Sequence, residues 1–169
     1  MVEQNTLRLG VVVIQEVNDD SVRWLVGSMP RTIQPLPPYH SDSCNFVGEL
    51  STCLIKSPKA REYSDITSLA FWSRETNIRQ KKAQFGDQFQ RIGLGLAFHI
   101  TPSNVPVNFA FSFLFGVLAG NANIVRVPNR TFPQIEIICT EIQRVLGSTE
   151  YSLLREMNAL VRYDRNETM

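Results

Sequence analysis

The chain has 169 residues, 43% of them hydrophobic and 20% charged, with a formal net charge of +1. That is enough for one domain with a real core, and a nearly neutral chain has no global field to draw in nucleic acid or an acidic membrane surface. Its three cysteines, Cys44, Cys53 and Cys139, lack both the density of a secreted disulfide framework and the pairing of a zinc site, so a cytoplasmic location without a bound metal is expected.

At the start, Leu7 to Glu16 and Ser21 to Met29 are β-branched apolar runs separated by Val17-Asn18-Asp19-Asp20, the pattern of a β-hairpin. The apolar core Val11 to Ile14, flanked by Glu3 and Arg8, is too short for a signal sequence. Pro30, Pro35, Pro37 and Pro38 then make a stiff extended connector. Residues 1–40 are therefore read as hairpin plus connector, and residues 41–169 as a separate α/β unit.

Within that unit, Phe46, Val47, Leu50, Cys53 and Leu54 fall at helical spacing behind Ser and Asp capping residues, and Pro58 stops or restarts the helix. A second helix is predicted from Ser64 to about Lys82. It buries Ile66, Leu69, Ala70 and Ile78 beside Phe71 and Trp72, and turns Arg74, Glu75, Arg79, Lys81 and Lys82 to solvent.

The best punctuated stretch is Gly93 to Pro128. Leu94 to Ile100 reads as a strand ending in the turn Thr101-Pro102-Ser103-Asn104. A helix starting near Pro106 has a body, Val107 to Ala119, that is apolar almost all round, as suits a helix packed between two layers. It is too short to span a bilayer, which takes roughly 20 residues. Gly120 supplies a left-handed cap, and Ile124 to Val127 forms a strand that Pro128 stops.

Beyond it, Pro133 opens an amphipathic helix whose apolar residues are Ile135, Ile138, Cys139, Ile142, Val145 and Leu146. Gly147 caps it, a short helix runs to about Asn158, and Ala159 to Tyr163 is a further strand. The order β-α-β-α-(α)-β calls for parallel strands. It is half of a nucleotide-binding α/β sheet, a partial Rossmann-like sheet with flanking helices, whose ligands sit beyond the carboxyl ends of the strands. Those ends are the loops Thr101 to Asn104 and Arg126 to Arg130.

At Thr101-Pro102-Ser103-Asn104, Leu118-Ala119-Gly120-Asn121 and Val125-Arg126-Val127-Pro128 the sequence resembles the cofactor domain of the aldehyde dehydrogenase superfamily. Phe98-His99-Ile100-Thr101-Pro102-Ser103-Asn104-Val105-Pro106, Gly120-Asn121-Ala122-Asn123, and Asp65 with Phe71-Trp72-Ser73-Arg74 look like the acyl-CoA reductases of the bioluminescence type, the long-chain fatty acid reductase family. The similarity is good from about Asp65 to Pro128 and looser outside it.

The resemblance implies reduction of an activated fatty acyl group, carried by CoA or a protein, to the aldehyde by NADPH through a cysteine thioester. That route splits one hard displacement into two easier ones. It implies that Asn104 stabilises the oxyanion, as a fixed amide donor at a strand end can. It assigns Thr101, Pro102, Ser103, Arg126, Pro128 and Asn129 to cofactor binding, with Arg126 on the adenosine ribose or its phosphate. In this chain Val127 is inserted before Pro128, and Asn129 and Arg130 stand where the family pattern has a glutamate nearby; without that carboxylate a 2′-phosphate is tolerated.

Each residue also has a structural reading. Asn104 is a loop residue bonding its own backbone, Arg126 a charged strand end, His99 a hydrogen-bonded structural histidine, and Cys139 a small hydrophobe on a helix. Gly147-Ser148-Thr149-Glu150 imitates the superfamily's phosphate-binding glycine motif, but helix capping accounts for it.

The family's nucleophilic cysteine lies well over a hundred residues beyond its Pro-x-Asn turn, whereas only residues 105–169 follow Asn104 here. The catalytic domain is thus expected to lie outside this chain, which would be an N-terminal fragment, a split-gene product or a truncated piece of a larger reductase, inactive alone and prone to poor solubility or to association with a missing partner through an open sheet edge. A non-catalytic nucleotide-binding or regulatory module, and part of an acyl-phosphate reductase, are the alternatives.

Overall fold

The computed structural model describes residues 22–86 and 90–163. A four-stranded mixed sheet has helices packed about it: β1 (Arg23–Val26), α1 (Ser41–Lys56), α2 (Pro58–Arg61), α3 (Ser64–Trp72), α4 (Glu75–Phe85), β2 (Leu96–Ile100), α5 (Asn108–Leu118), β3 (Ala122–Arg126), α6 (Pro133–Leu146), a 3-10 turn (Thr149–Tyr151), α7 (Ser152–Met157) and β4 (Asn158–Arg162). The sheet order is β1-β4-β3-β2. β2, β3 and β4 are parallel neighbours, as the β-α-β-α-β order requires, and β1 joins β4 antiparallel. This is the α/β architecture expected of a partial Rossmann-like sheet with flanking helices.

Of the expected hairpin, the arm Leu7 to Glu16 and its turn lie outside the described residues. The other arm contains β1, whose partner is β4, with Arg23 opposite Arg162 and Trp24 opposite Val161. The proline-rich connector then crosses to the far side of the sheet. Leu36 donates its N–H to the Gly120 carbonyl and accepts from the Gly93 N–H, both at 2.9 Å, and Tyr39 N–H bonds the Leu118 carbonyl.

That connector explains Gly120. Its φ is +82°, and a Cβ there would run into the Leu36 carbonyl. Only glycine combines a left-handed turn with so close a backbone approach.

The core lies between the sheet and the helices α1, α5 and α6. Phe46, Leu50, Phe109, Phe113, Leu114, Ile138 and Ile142 are fully buried there, and Phe46 meets the rings of Phe113 and Tyr151 edge-on. Edge-to-face contact suits the quadrupoles of neighbouring rings.

Three local expectations are corrected. The helix predicted from Ser64 to Lys82 is two helices, α3 and α4. Ser73 Oγ bonds the Leu69 and Ala70 carbonyls, and Asn77 Nδ2 takes those of Phe71 and Trp72. These side chains satisfy the carbonyls that a helix end leaves open, so the chain turns at Ser73-Arg74. Phe71 is accordingly 44% exposed, under the Arg74 guanidinium, rather than packed inside. The cap of α1 is His40, whose Nδ1 accepts from Asp42 N–H, rather than a Ser or Asp. Finally, β2 begins at Leu96, because Gly93 is bonded to Leu36, Leu94 N–H to the Asn121 side chain, and Gly95 takes φ +107°.

Candidate functional site

Side chains alternate across a strand, so β2 divides its residues between two surroundings. Ala97 and His99 face α5. Leu96, Phe98 and Ile100 face the other way, 38%, 52% and 68% exposed.

His99 is the centre of a polar network. Its Nδ1 lies 2.8 Å from Ser112 Oγ on α5, and its Nε2 lies 3.0 Å from Asn123 Oδ1 on β3. Asn123 Nδ2 donates to the Asn121 carbonyl and, at 2.7 Å, to Asn158 Oδ1 on β4; Asn158 Nδ2 donates to the Leu154 carbonyl. With both amides so oriented, Asn123 Oδ1 is an acceptor, His99 Nε2 carries the proton, and Nδ1 is left to accept from the Ser112 hydroxyl. A serine, histidine and amide in this order imitate a hydrolytic triad, but a Cβ on Gly116 would collide with Asn123 Oδ1. Gly116 of α5 thus packs directly on Asn123, both ring nitrogens of His99 are engaged, and His99 matches the hydrogen-bonded structural reading.

At the carboxyl ends of β2 and β3 the two predicted loops line one cleft of about 700 Å³, formed by Ile100, Thr101, Pro102, Ser103, Asn104, Arg126, Asn129 and Arg130. Its size falls within the usual range for small-molecule sites. Buried Thr101 ties the loops together by donating its hydroxyl to the Arg126 carbonyl at 3.0 Å. Asn104 is exposed and makes no hydrogen bond to a described residue, so its amide is not consumed by its own backbone. Pro128 is buried behind the second loop and does not line the cleft.

Arg126 is the unusual member. Only 7% exposed, it sits 4.8 Å from the Tyr163 ring centroid and donates one long bond, 3.4 Å, to the Tyr163 carbonyl; its Nε has no partner. No carboxylate is among the described residues that line the cleft. A buried guanidinium without a counter-ion is costly unless an anion joins it. Arg130, stacked 5.0 Å from the Phe132 ring centroid, adds a second positive charge at the mouth. Arg130 closes the predicted loop Arg126 to Arg130, and the structure adds that its side chain lines the cleft, a role the sequence reading did not assign to it individually.

None of the cysteines lines this cleft. Cys139 is 7% exposed among Ile135, Ile138 and Ile142, and burial pushes its thiol up to about 12, with nearby Arg162 pulling the other way. Cys44 and Cys53 are half-buried on α1, and burial also raises Cys44. Ser148 Oγ accepts from Glu150 N–H as a cap of the 3-10 turn. A hollow of about 440 Å³ between α2 and α6 carries Lys59, Glu62, Glu136 and Glu141, but it lies away from the strand ends and has no unpartnered buried donor. Among the described residues no group of His, Cys, Asp or Glu is placed to hold a metal ion, and no helix is long and apolar enough to cross a membrane.

A family model described as Acyl-CoA reductase (LuxC) matches residues 71–168, more than half of the chain and all of the cleft. Searches of curated proteins and of solved structures return no match.

Proposed function

Since the chain belongs to the acyl-CoA reductase (LuxC) family, we propose that it supplies the cofactor-binding side and the oxyanion donor for NADPH-dependent reduction of a fatty acyl thioester to the aldehyde. The bound dinucleotide supplies hydride. Arg126 holds one of its phosphate groups, and Thr101, Pro102, Ser103 and Asn129 shape the cleft around it, with Pro128 fixing the second loop from behind. Asn104 donates its amide N–H to the acyl oxygen as negative charge develops there; such a donor is worth roughly 3 kcal/mol of barrier.

The observation that carries this reading is Arg126, nine-tenths buried beside a cleft with no acid among its described lining residues. A charge-assisted bond to phosphate answers its unpartnered Nε. The same lack of acid favours NADPH over NADH, because a carboxylate at the ribose would repel a 2′-phosphate. The thiolate that accepts the acyl group comes, in this reading, from a polypeptide segment other than those bearing Cys44, Cys53 and Cys139. The chain is then an incomplete reductase, working in the cytoplasm with CoA- or protein-bound acyl groups brought by the rest of the enzyme.

Calorimetric titration with NADPH, NADH and 2′,5′-ADP tests this. The expected result is binding of NADPH and 2′,5′-ADP that Arg126→Met weakens by about tenfold or more, with no acyl-CoA turnover by the chain alone. Failure of every nucleotide to bind at millimolar concentration would falsify the cofactor assignment; turnover without a second polypeptide would overturn the missing nucleophile. The absence of a cysteine from the cleft equally favours a non-catalytic nucleotide-binding module, which is distinguished by nucleotide binding without any affinity for acyl-CoA.

A further inference from the structure

A second cluster of positive charge lies between β1, the end of β4 and α6. Arg23 and Arg162 are directly opposite in the antiparallel pair, and opposed residues project from the same face of a sheet with their Cβ atoms about 5 Å apart. Both line a cleft of about 430 Å³ whose far wall is α6. Among the described residues neither guanidinium has a carboxylate within ion-pair distance, and Arg162 Nε is buried without a hydrogen-bond partner. Like charges directly opposite destabilise a strand pair, and a buried N–H left unsatisfied adds to that cost.

The helix side of the cleft supplies a neutral donor and an apolar wall. Gln143 Oε1 accepts from Gly27 N–H at 3.1 Å, which fixes the side-chain amide and leaves Nε2 to donate. Ile135 and Cys139 of α6 face Leu25 of β1 across the cleft. Glu136 is the one acid among the described lining residues. It is exposed and stands on the ridge shared with the neighbouring hollow, where Lys59 also lies.

We propose that this cleft binds a phosphate monoester, with the phosphate bridging Arg23 and Arg162 and the organic part lying on Leu25, Ile135 and Cys139. Two guanidinium forks offer more donors than the two oxygens of a carboxylate can take up. A phosphate group presents three terminal oxygens and close to two negative charges, which matches both forks at once. Gln143 Nε2 is the further donor. The cleft is larger than an inorganic phosphate ion, so a small organic group has room beside it. It shares no lining residue with the Asn104–Arg126 cleft, and its occupation is independent of the cofactor reading. An occupant relieves the repulsion between β1 and β4, and by binding only the native state it stabilises the fold.

Phenyl phosphate titrated into the nitrogen-15-labelled chain in phosphate-free buffer, followed by proton–nitrogen correlation spectra, tests this. The expected result is saturable binding with millimolar affinity or better, read from the Gln143 side-chain amide, together with a shift of the Arg162 Nε–H signal. That signal is identified by its absence from Arg162→Lys. Arg162→Lys keeps the charge but loses the fork, and should weaken binding about tenfold. Arg23→Met, at an exposed position where folding is not at stake, should weaken it by about tenfold as well, while Arg126→Met leaves it unchanged. Benzoate, with the same ring and a single charge, should bind about tenfold more weakly than phenyl phosphate. An Arg162 Nε–H signal unmoved at about 20 mM phenyl phosphate, unchanged affinity in folded Arg23→Met, loss of binding in Arg126→Met, or equal binding of benzoate each overturns the proposal.

Discussion

Among the described residues, the two outer strands of the sheet are built on opposite plans. β1 is four residues long, its register with β4 shifts between Trp24 and Val26, it carries Arg23, and α6 packs beside it. β2 pairs with β3 over five residues without a register shift, has no formal charge, and presents its apolar side chains outward. A bulge and a cation are what discourage a further strand from adding. Among the described strands the two ends of this sheet are thus not treated alike: β1 carries features that discourage a further strand and β2 carries none.

What keeps β2 straight enough to be receptive is its attachment. Its leading end is fixed where Gly93, Gly120 and Leu36 meet, and its inner face is fixed by His99. The largest effect should follow from breaking the first. Gly120→Val puts a branched side chain at φ +82° against the Leu36 carbonyl and should cost about 3 kcal/mol or more. Hydrogen exchange should show β2 losing protection before β1 and β4 do; equal loss at both edges would remove the junction's special role. Asn123→Leu comes next. It leaves His99 Nε2 and Asn158 Oδ1 without their partner in a buried site, so a loss of about 2 kcal/mol by urea denaturation is expected.

The smallest effect lies at the other edge and has the opposite sign. Arg23 is directly opposite Arg162, and like charges so placed repel. Arg23→Glu should stabilise the fold by a few tenths of a kcal/mol, with no change in sedimentation mass. A mass increase there would mean that the cation at β1, and not its bulge, blocks association.

Much of the fold is legible in the sequence because its signals are local. Gly120, Pro128, Pro133 and the spacing of Ile135, Ile138 and Ile142 report turns and helix faces within a few residues of themselves. The pairing of β1 with β4 is not local: nothing around Arg23 indicates that its partner is Arg162. The break at Ser73 is hidden for a different reason, since Asn77 replaces the helical hydrogen bonds from outside the turn, and neither Gly nor Pro marks the place. At the candidate site, motif alone marks Asn104 and Arg126, and Thr101 with them. That Thr101 binds the two loops into one cleft, and that Arg126 is buried without a counter-ion among the described residues, depend on the approach of two strand ends. Composition and periodicity do not carry that information.

The antiparallel pair of β1 and β4 also sets a timetable. During synthesis β1 leaves the ribosome first, yet its partner strand, Asn158–Arg162, is among the last described segments to follow. At about 5–20 residues per second, β1 waits on the order of ten seconds for β4 to emerge. Its brevity and its arginine make it a poor template during that interval, so the guarding of this edge serves the growing chain as well as the finished one.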